Sequence, residues 1–92
     1  MDRSQARILV ADDEDSIRFV LREALESKGH AVSEVADGDA ALRALEADEF
    51  DLAFLDIRMP GASGLEVLER AQTAASDTAV VIITAQSTFE SA

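Results

Sequence analysis

Residues 51–61 read D-L-A-F-L-D-I-R-M-P-G, and this stretch decides the fold. Leu52 to Leu55 is an unbroken apolar run, the pattern of a short strand buried on both faces of a parallel sheet. It ends in Asp56, an acid where a buried strand gives way to a loop. Met59-Pro60-Gly61 then stops both strand and helix, because proline fixes φ and glycine permits φ > 0. Open parallel sheets bind ligands in the crevice beyond the carboxyl ends of their strands, which is where Asp56 stands. Taken alone, Asp56 reads equally well as a solvated acid at a strand end. The remainder of the chain separates the two readings.

Ninety-two residues make one small domain, which buries only a little over ~60% of its unfolded surface. Apolar residues make up 48% of the chain and the only aromatics are four Phe, so Ala, Val, Leu and Ile must build the core. The absence of cysteine excludes disulfides, thiolate metal sites and thiol catalysis. No apolar run approaches the roughly 18 residues of a membrane span, and M-D-R-S-Q is no signal peptide. A cytoplasmic protein is the expectation. The net charge of −11 and the scatter of Arg3, Arg7, Arg18, Arg22, Lys28, Arg43, Arg58 and Arg70 argue against direct nucleic-acid contact, which needs a basic surface. The four glycines form neither a dinucleotide fingerprint nor a P-loop.

Working outward, Ile8 to Ala11 is a second apolar run, closed by Asp12-Asp13-Glu14-Asp15. Acids suit the positive end of a helix dipole, and the apolar positions Ile17, Val20, Leu21, Ala24 and Leu25 give that helix an amphipathic stripe. Lys28 and Gly29 read as its last-turn cation and left-handed cap. Ala31–Val35 is the next strand, with Val32 and Val35 its better apolar members. Asp37-Gly38-Asp39 is a turn into a helix from about Ala40 to Asp48, with Ala41, Leu42 and Leu45 on one face. Ser63-x-x-Glu66 is a capping box opening a helix that directs Leu65, Leu68 and Ala71 inward. Ala79–Ile83 is a fourth apolar strand, closed by Thr84-Ala85, and Ser87-Thr88-Phe89-Glu90 is a second capping box. Strands alternating with helices imply an α/β domain, a parallel sheet with helices on both faces and right-handed crossovers.

Parallel strands place their C-terminal ends on one edge, so Asp12, Asp13, Asp56 and Thr84 can converge. Crowded carboxylates raise one another's pKa unless a cation neutralises them. An all-oxygen cluster suits Mg²⁺, with about six oxygen ligands including water. Zinc would want imidazole or thiolate, and the single histidine, His30, together with Lys28, is expected at the opposite end of the sheet. A strand-end Asp beside a metal and a hydroxyl fits carboxylate attack on a phosphoryl group, giving an aspartyl phosphate. Each acid taken alone is explained as a helix cap or loop acid. Three apolar strands each ending in such a residue are not.

At this point the chain resembles the receiver domain of bacterial two-component response regulators. The matching stretches are I-L-V-A-D-D-E at 8–14, A-D-G-D-A-A-L at 36–42, D-L-A-F-L-D-I-R-M-P-G at 51–61, G-L-E-V-L at 64–68 and V-I-I-T-A at 81–85. S-I-R-F-V-L and L-D-I-R-M-P-G lean towards the nitrogen-regulator class, which precedes an ATPase and a DNA-binding domain. The resemblance implies a flavodoxin-like, doubly wound sheet, here with four strands in the order 2-1-3-4. It implies Asp56 as phosphoacceptor, Asp13 and Asp56 as direct Mg²⁺ ligands, Asp12 acting through water, and the Arg58 backbone carbonyl completing the protein ligands. Thr84 would couple phosphorylation to movement of the loop and helix after it. The donor would be a phosphohistidine on a sensor histidine kinase or phosphotransfer protein, the output domain lies outside these residues, and the chain is a phosphoacceptor, not an enzyme.

The family pattern continues with a fourth helix, a fifth strand ending in Lys-Pro and a fifth helix, so residues 1–92 are expected to be one receiver domain incomplete at its C-terminus. The lysine that binds the phosphoryl group is not among them; Lys28 stands at the wrong end and Arg58 has different geometry. Ala79–Ile83 would then be an apolar edge, and a homo-oligomer, a domain swap or a loosely folded chain is expected. Arg58 and Gln86 are candidates for tuning phosphoryl lifetime. Two alternatives stay open. One is a dimerisation or interaction module that works unphosphorylated. The other is a phosphohydrolase of the haloacid dehalogenase type, which wants an acid where Arg58 stands.

Overall fold

A computed structural model describes residues 5–75 and 77–83. Strand β1 (Arg7–Ala11), helix α1 (Asp15–Glu26), strand β2 (Ala31–Val35), helix α2 (Gly38–Ala47), strand β3 (Leu52–Asp56), helix α3 (Gly64–Ala74) and strand β4 (Ala79–Ile83) alternate strictly along the chain. The strands form one parallel sheet in the order β2-β1-β3-β4, as expected for a flavodoxin-like α/β fold. The continuous apolar runs take the centre: Ile8, Leu9, Val10 and Ala11 of β1 and Ala53 and Leu55 of β3 are all buried. Alternate residues of a strand face opposite ways. Leu9, Ala11, Ala53 and Leu55 therefore share one face, where they join Ala41 and Leu45 of α2, Phe50, and Val67 and Ala71 of α3 in one core. Ile8 and Val10 face the α1 side, and α1 packs on β1 and β2.

Helix α2 begins at Gly38, two residues ahead of the expected start. The reason is that Asp37 caps it, its carboxylate accepting from Ala40 N at 2.7 Å. The capping box of α3 forms as expected, with Glu66 N donating to Ser63 Oγ at 3.2 Å and Ser63 N donating to Glu66 Oε1 at 2.9 Å. Ser63→Ala should cost about 1 kcal/mol, read as a lower urea midpoint with an unchanged slope.

Two expectations are corrected. Leu65 does not point inward: it is 54% exposed, and Gly64, Val67 and Ala71 form the buried face of α3. Gly64 lies against the backbone of Asp56, where a Cβ would overlap the carbonyl oxygen, and that close approach turns Val67 onto the sheet. The stripe on α1 is covered in part: Ile17, Leu21 and Leu25 are half-buried, while Val20 and Ala24 are exposed. Among its described residues none is buried, and Phe19 and Val20 are each 61% exposed. Finally, α1 ends at Glu26 with Ser27 as its cap, so its last turn carries no cation and Lys28 lies beyond it. Gly29 does adopt the left-handed conformation, with φ +92°. Thr84, Gln86 and the Ser87–Glu90 capping box lie outside the described residues.

Candidate functional site

Register builds the site. Ala11 pairs with Leu55 across β1 and β3, so the next residue of each strand, Asp12 and Asp56, stand side by side at the carboxyl edge. Neighbouring parallel strands lie about 4.8 Å apart. With β2 on one side of β1 and β3 on the other, the winding of the sheet reverses between β1 and β3, the place where open α/β sheets leave a crevice. Asp13 comes next, in the turn to α1. One carboxylate oxygen from each of Asp12, Asp13 and Asp56 lies within 4.8 Å of the others. Asp12 is 1% and Asp56 5% exposed, while Asp13 is open to solvent.

Local backbone holds two of the three. Glu14 N donates to Asp12 Oδ1 at 2.9 Å, Asp12 N donates to the Val35 carbonyl at 3.2 Å, and Arg58 N donates to Asp56 Oδ1 at 3.3 Å. Among the described residues no arginine or lysine side chain pairs with these three carboxylates. Burial therefore pushes the Asp56 carboxyl above its ordinary value. The Arg58 N–H pulls the other way, while the charge of Asp12, a hydrogen bond to Asp12 and the charge of Asp13 raise it further.

A raised pKa at Asp56 makes stability depend on pH. Between the ordinary carboxylate value and the raised one, the folded chain binds more protons at Asp56 than the unfolded chain does. Stability from this group is thus greatest at acid pH and falls as pH rises through that window. In metal-free buffer, the stability gap between Asp56→Asn and wild type should widen from pH 4 to pH 7. Paired urea titrations across that range check it.

The donor set fits a small divalent cation. Three carboxylates, two of them buried and none paired with a cationic side chain among the described residues, form a concentrated negative charge. An all-oxygen set of this kind suits Mg²⁺ in preference to zinc.

The sequence places Asp12, Asp13 and Asp56 together, and so does the fold. Arg58 reaches Asp56 through its N–H, and its side chain is exposed. His30 lies at the other end of β1, its Nδ1 accepting from Ala6 N at 3.0 Å. Thr84 lies outside the described residues. Sequence reasoning passed over Arg18 and Glu34, whose side chains meet beside the acidic turn. The available signal was an Asp15–Arg18 spacing of one helical turn.

The chain has relatives. Residues 8–92 match the family described as the response regulator receiver domain. The transcriptional regulatory protein DltR of Streptococcus agalactiae is 40% identical over 81 residues, which cover 88% of this chain and 36% of DltR. The chain thus spans about a third of that relative's length. Among solved structures, the response regulator TrrA of Thermotoga maritima in complex with Mg²⁺ and BeF is similar at a TM-score of 0.82 and 40% identity, covering 92% of this chain and 74% of that one. TrrA in complex with the histidine kinase ThkA is similar at a TM-score of 0.80 and 40% identity, covering 94% of this chain and 74% of that one. Among the described residues, no helix is long and apolar enough to cross a membrane.

Proposed function

The chain belongs to the response regulator receiver domain family, and on that premise we propose that it is the phosphoacceptor module of a two-component system. Asp56 takes a phosphoryl group from a phosphohistidine of a sensor kinase or phosphotransfer protein. The observation that carries this reading is the position of Asp56: a buried carboxylate at the end of a central strand, within 4.8 Å of two more. A carboxylate pushed up by burial is a poorly solvated nucleophile with few water hydrogen bonds to lose. An Asp56 oxygen forms the new bond to phosphorus as the imidazole N–P bond breaks, and the imidazole nitrogen keeps that electron pair.

Asp12, Asp13 and Asp56, with the Arg58 backbone carbonyl, would hold Mg²⁺, which supplies charge neutralisation for the transferred phosphoryl group. Glu14 N fixes the aim of Asp12, and Arg58 N fixes one oxygen of Asp56 so that the other is free to react. Thr84, the residue after β4 in the sequence, takes the hydroxyl role towards the phosphoryl oxygens, and Arg58 and Gln86 tune the lifetime of the phosphoryl group. One acceptance per chain makes this a signalling module that assists its own phosphorylation and dephosphorylation, not an enzyme. By the same reading it is cytoplasmic, is one receiver domain and acts on an output domain of a transcription regulator. The nitrogen-regulator class rests on S-I-R-F-V-L and L-D-I-R-M-P-G alone.

The kinase-side test is direct. A phosphohistidine-loaded kinase mixed with the chain should pass its label to Asp56 when Mg²⁺ is present and keep it when the metal is chelated. Label that moves equally well without Mg²⁺, or to another residue, contradicts the proposal. Removal of Mg²⁺ should also lower thermal stability: at one hundred times its dissociation constant a ligand contributes about 2.7 kcal/mol.

A second reading is favoured by one observation, the exposure of Phe19, Val20, Leu65 and Val81. An interaction module that self-associates without phosphorylation would bury such residues. Sizing of the chain over a concentration series should then show a dimer that persists in Asp56→Asn.

A further inference from the structure

Arg18 sits on the first turns of α1 with its side chain only 15% exposed. Its guanidinium reaches three oxygens on three different elements. Nη1 donates to the backbone carbonyl of Asp12, Nη2 pairs with Asp15 at the start of α1, and Nε lies 3.3 Å from Glu34 Oε1 on β2. Glu34 is held in turn from its other oxygen, where Arg22 Nη1 approaches to 2.8 Å. Arg22 also meets Glu26 at 3.4 Å. The result is a chain of charges running from α1 across to β2 and ending on a single carbonyl at the acidic turn.

That carbonyl matters because of where it lies. It belongs to the peptide unit joining Asp12 to Asp13, and a peptide unit is planar and rigid. Fixing its oxygen fixes the rotation of the backbone after Asp12 and before Asp13 together, and so the direction in which both carboxylates leave the turn. The other side of Asp12 is also held by β2, through Asp12 N and the Val35 carbonyl at 3.2 Å. Strand β2 thus grips the turn twice, once by its backbone and once through Glu34 and Arg18. A surface ion pair by itself is worth little. A half-buried fork with a carbonyl at one tip sets geometry, which a lysine ammonium on a flexible stem does not reproduce.

We propose that Arg18 is a positioning residue for the acidic cluster. Tethered by Glu34, it orients the Asp12–Asp13 peptide so that both carboxylates face Asp56, and thereby sets the affinity of the cluster for Mg²⁺ and the rate at which Asp56 accepts a phosphoryl group. The inference rests on the proposed function for its second half. Its first half concerns the metal-free turn.

Two readouts separate those halves. Glu14 N donates to Asp12 Oδ1, so hydrogen exchange at the Glu14 amide in metal-free protein reports whether the turn keeps its shape. Exchange at the Val10 amide, inside β1, reports global stability. In Arg18→Lys and in Glu34→Gln, Glu14 should exchange about tenfold faster while Val10 changes little. The Mg²⁺ dissociation constant by calorimetry should rise about tenfold, in the range seen when groups behind metal ligands are altered. Glu14 exchange at the wild-type rate in both variants, or faster only in step with Val10, overturns the proposal whatever Mg²⁺ does. If wild type binds no Mg²⁺, the proposed function fails, and Glu14 exchange alone decides the role of Arg18.

Discussion

Asp56→Asn should abolish phosphoryl acceptance while making the metal-free domain more stable. The two effects share one cause. Asp56 is 5% exposed, and burial raises its pKa, with the charge of Asp12 and Asp13 adding to the rise. The anion that the proposed reaction needs is therefore the form that the surroundings of Asp56 disfavour. An amide at the same place keeps the volume and the acceptor for Arg58 N, but brings no charge and no nucleophilic oxygen. Labelling should fall below detection, and stability at neutral pH should rise by about 1 kcal/mol, the low end of the desolvation penalty of a buried polar group. Intact mass after phosphodonor treatment and urea melts on the same preparation check both. A substituted protein that still carries label would move the acceptor elsewhere, and one that is less stable than wild type would deny that Asp56 is destabilised by its neighbours.

Gly38→Ala should be the most damaging of the four glycine-to-alanine changes. Gly38 opens α2 and its N–H donates to the Pro60 carbonyl at 3.1 Å. A Cβ there would overlap the Ala62 carbonyl oxygen, which is backbone and cannot swing aside as a flexible side chain can. Helix α2 would have to lift from the loop after Asp56, and that loop carries Arg58, whose N–H donates to Asp56. A loss of about 3 kcal/mol is expected, at the upper end for overpacking, together with slower acceptance at Asp56. Gly29→Ala is the internal comparison. Gly29 has φ +92° but open space around its Cβ position, so it should cost about 1–2 kcal/mol from backbone strain alone and leave acceptance unchanged. Urea titration ranks the two, and equal losses would mean that close approach at Gly38 is not what the position demands.

Much of the fold was legible in the sequence because it is written in short-range patterns. The apolar runs at 8–11, 52–55 and 79–83 place three strands to within a residue, and D-D and D-x-x-M-P place the acids at strand ends. Residues whose role depends on what lies across the fold were not legible. Leu65 reads as a core position by spacing, but the rotation of α3 is set by how Gly64 fits against Asp56, where a Cβ would run into the backbone carbonyl oxygen. Gly38 reads as a turn glycine, and only the approach of Ala62 shows why it has no side chain. Arg18 reads as one charge on a solvated helix face. Its partner Glu34 is sixteen residues away, and no local pattern announces that pairing. Thr84 and Gln86 were named from sequence and lie outside the described residues.

At the centre of the proposed function stands the carboxyl edge between β1 and β3, assembled as a Mg²⁺-dependent phosphoryl site at Asp56. Beryllofluoride, which imitates a phosphoryl group on a carboxylate, tests it most directly when titrated into the isotopically labelled chain with and without Mg²⁺. The prediction is a saturable one-to-one complex, formed only with Mg²⁺, that shifts the amides of Asp12, Asp13, Asp56 and Arg58 and is lost in Asp56→Asn. An unchanged spectrum at saturating Mg²⁺ and beryllofluoride, from a chain whose amides show it to be folded, would contradict it.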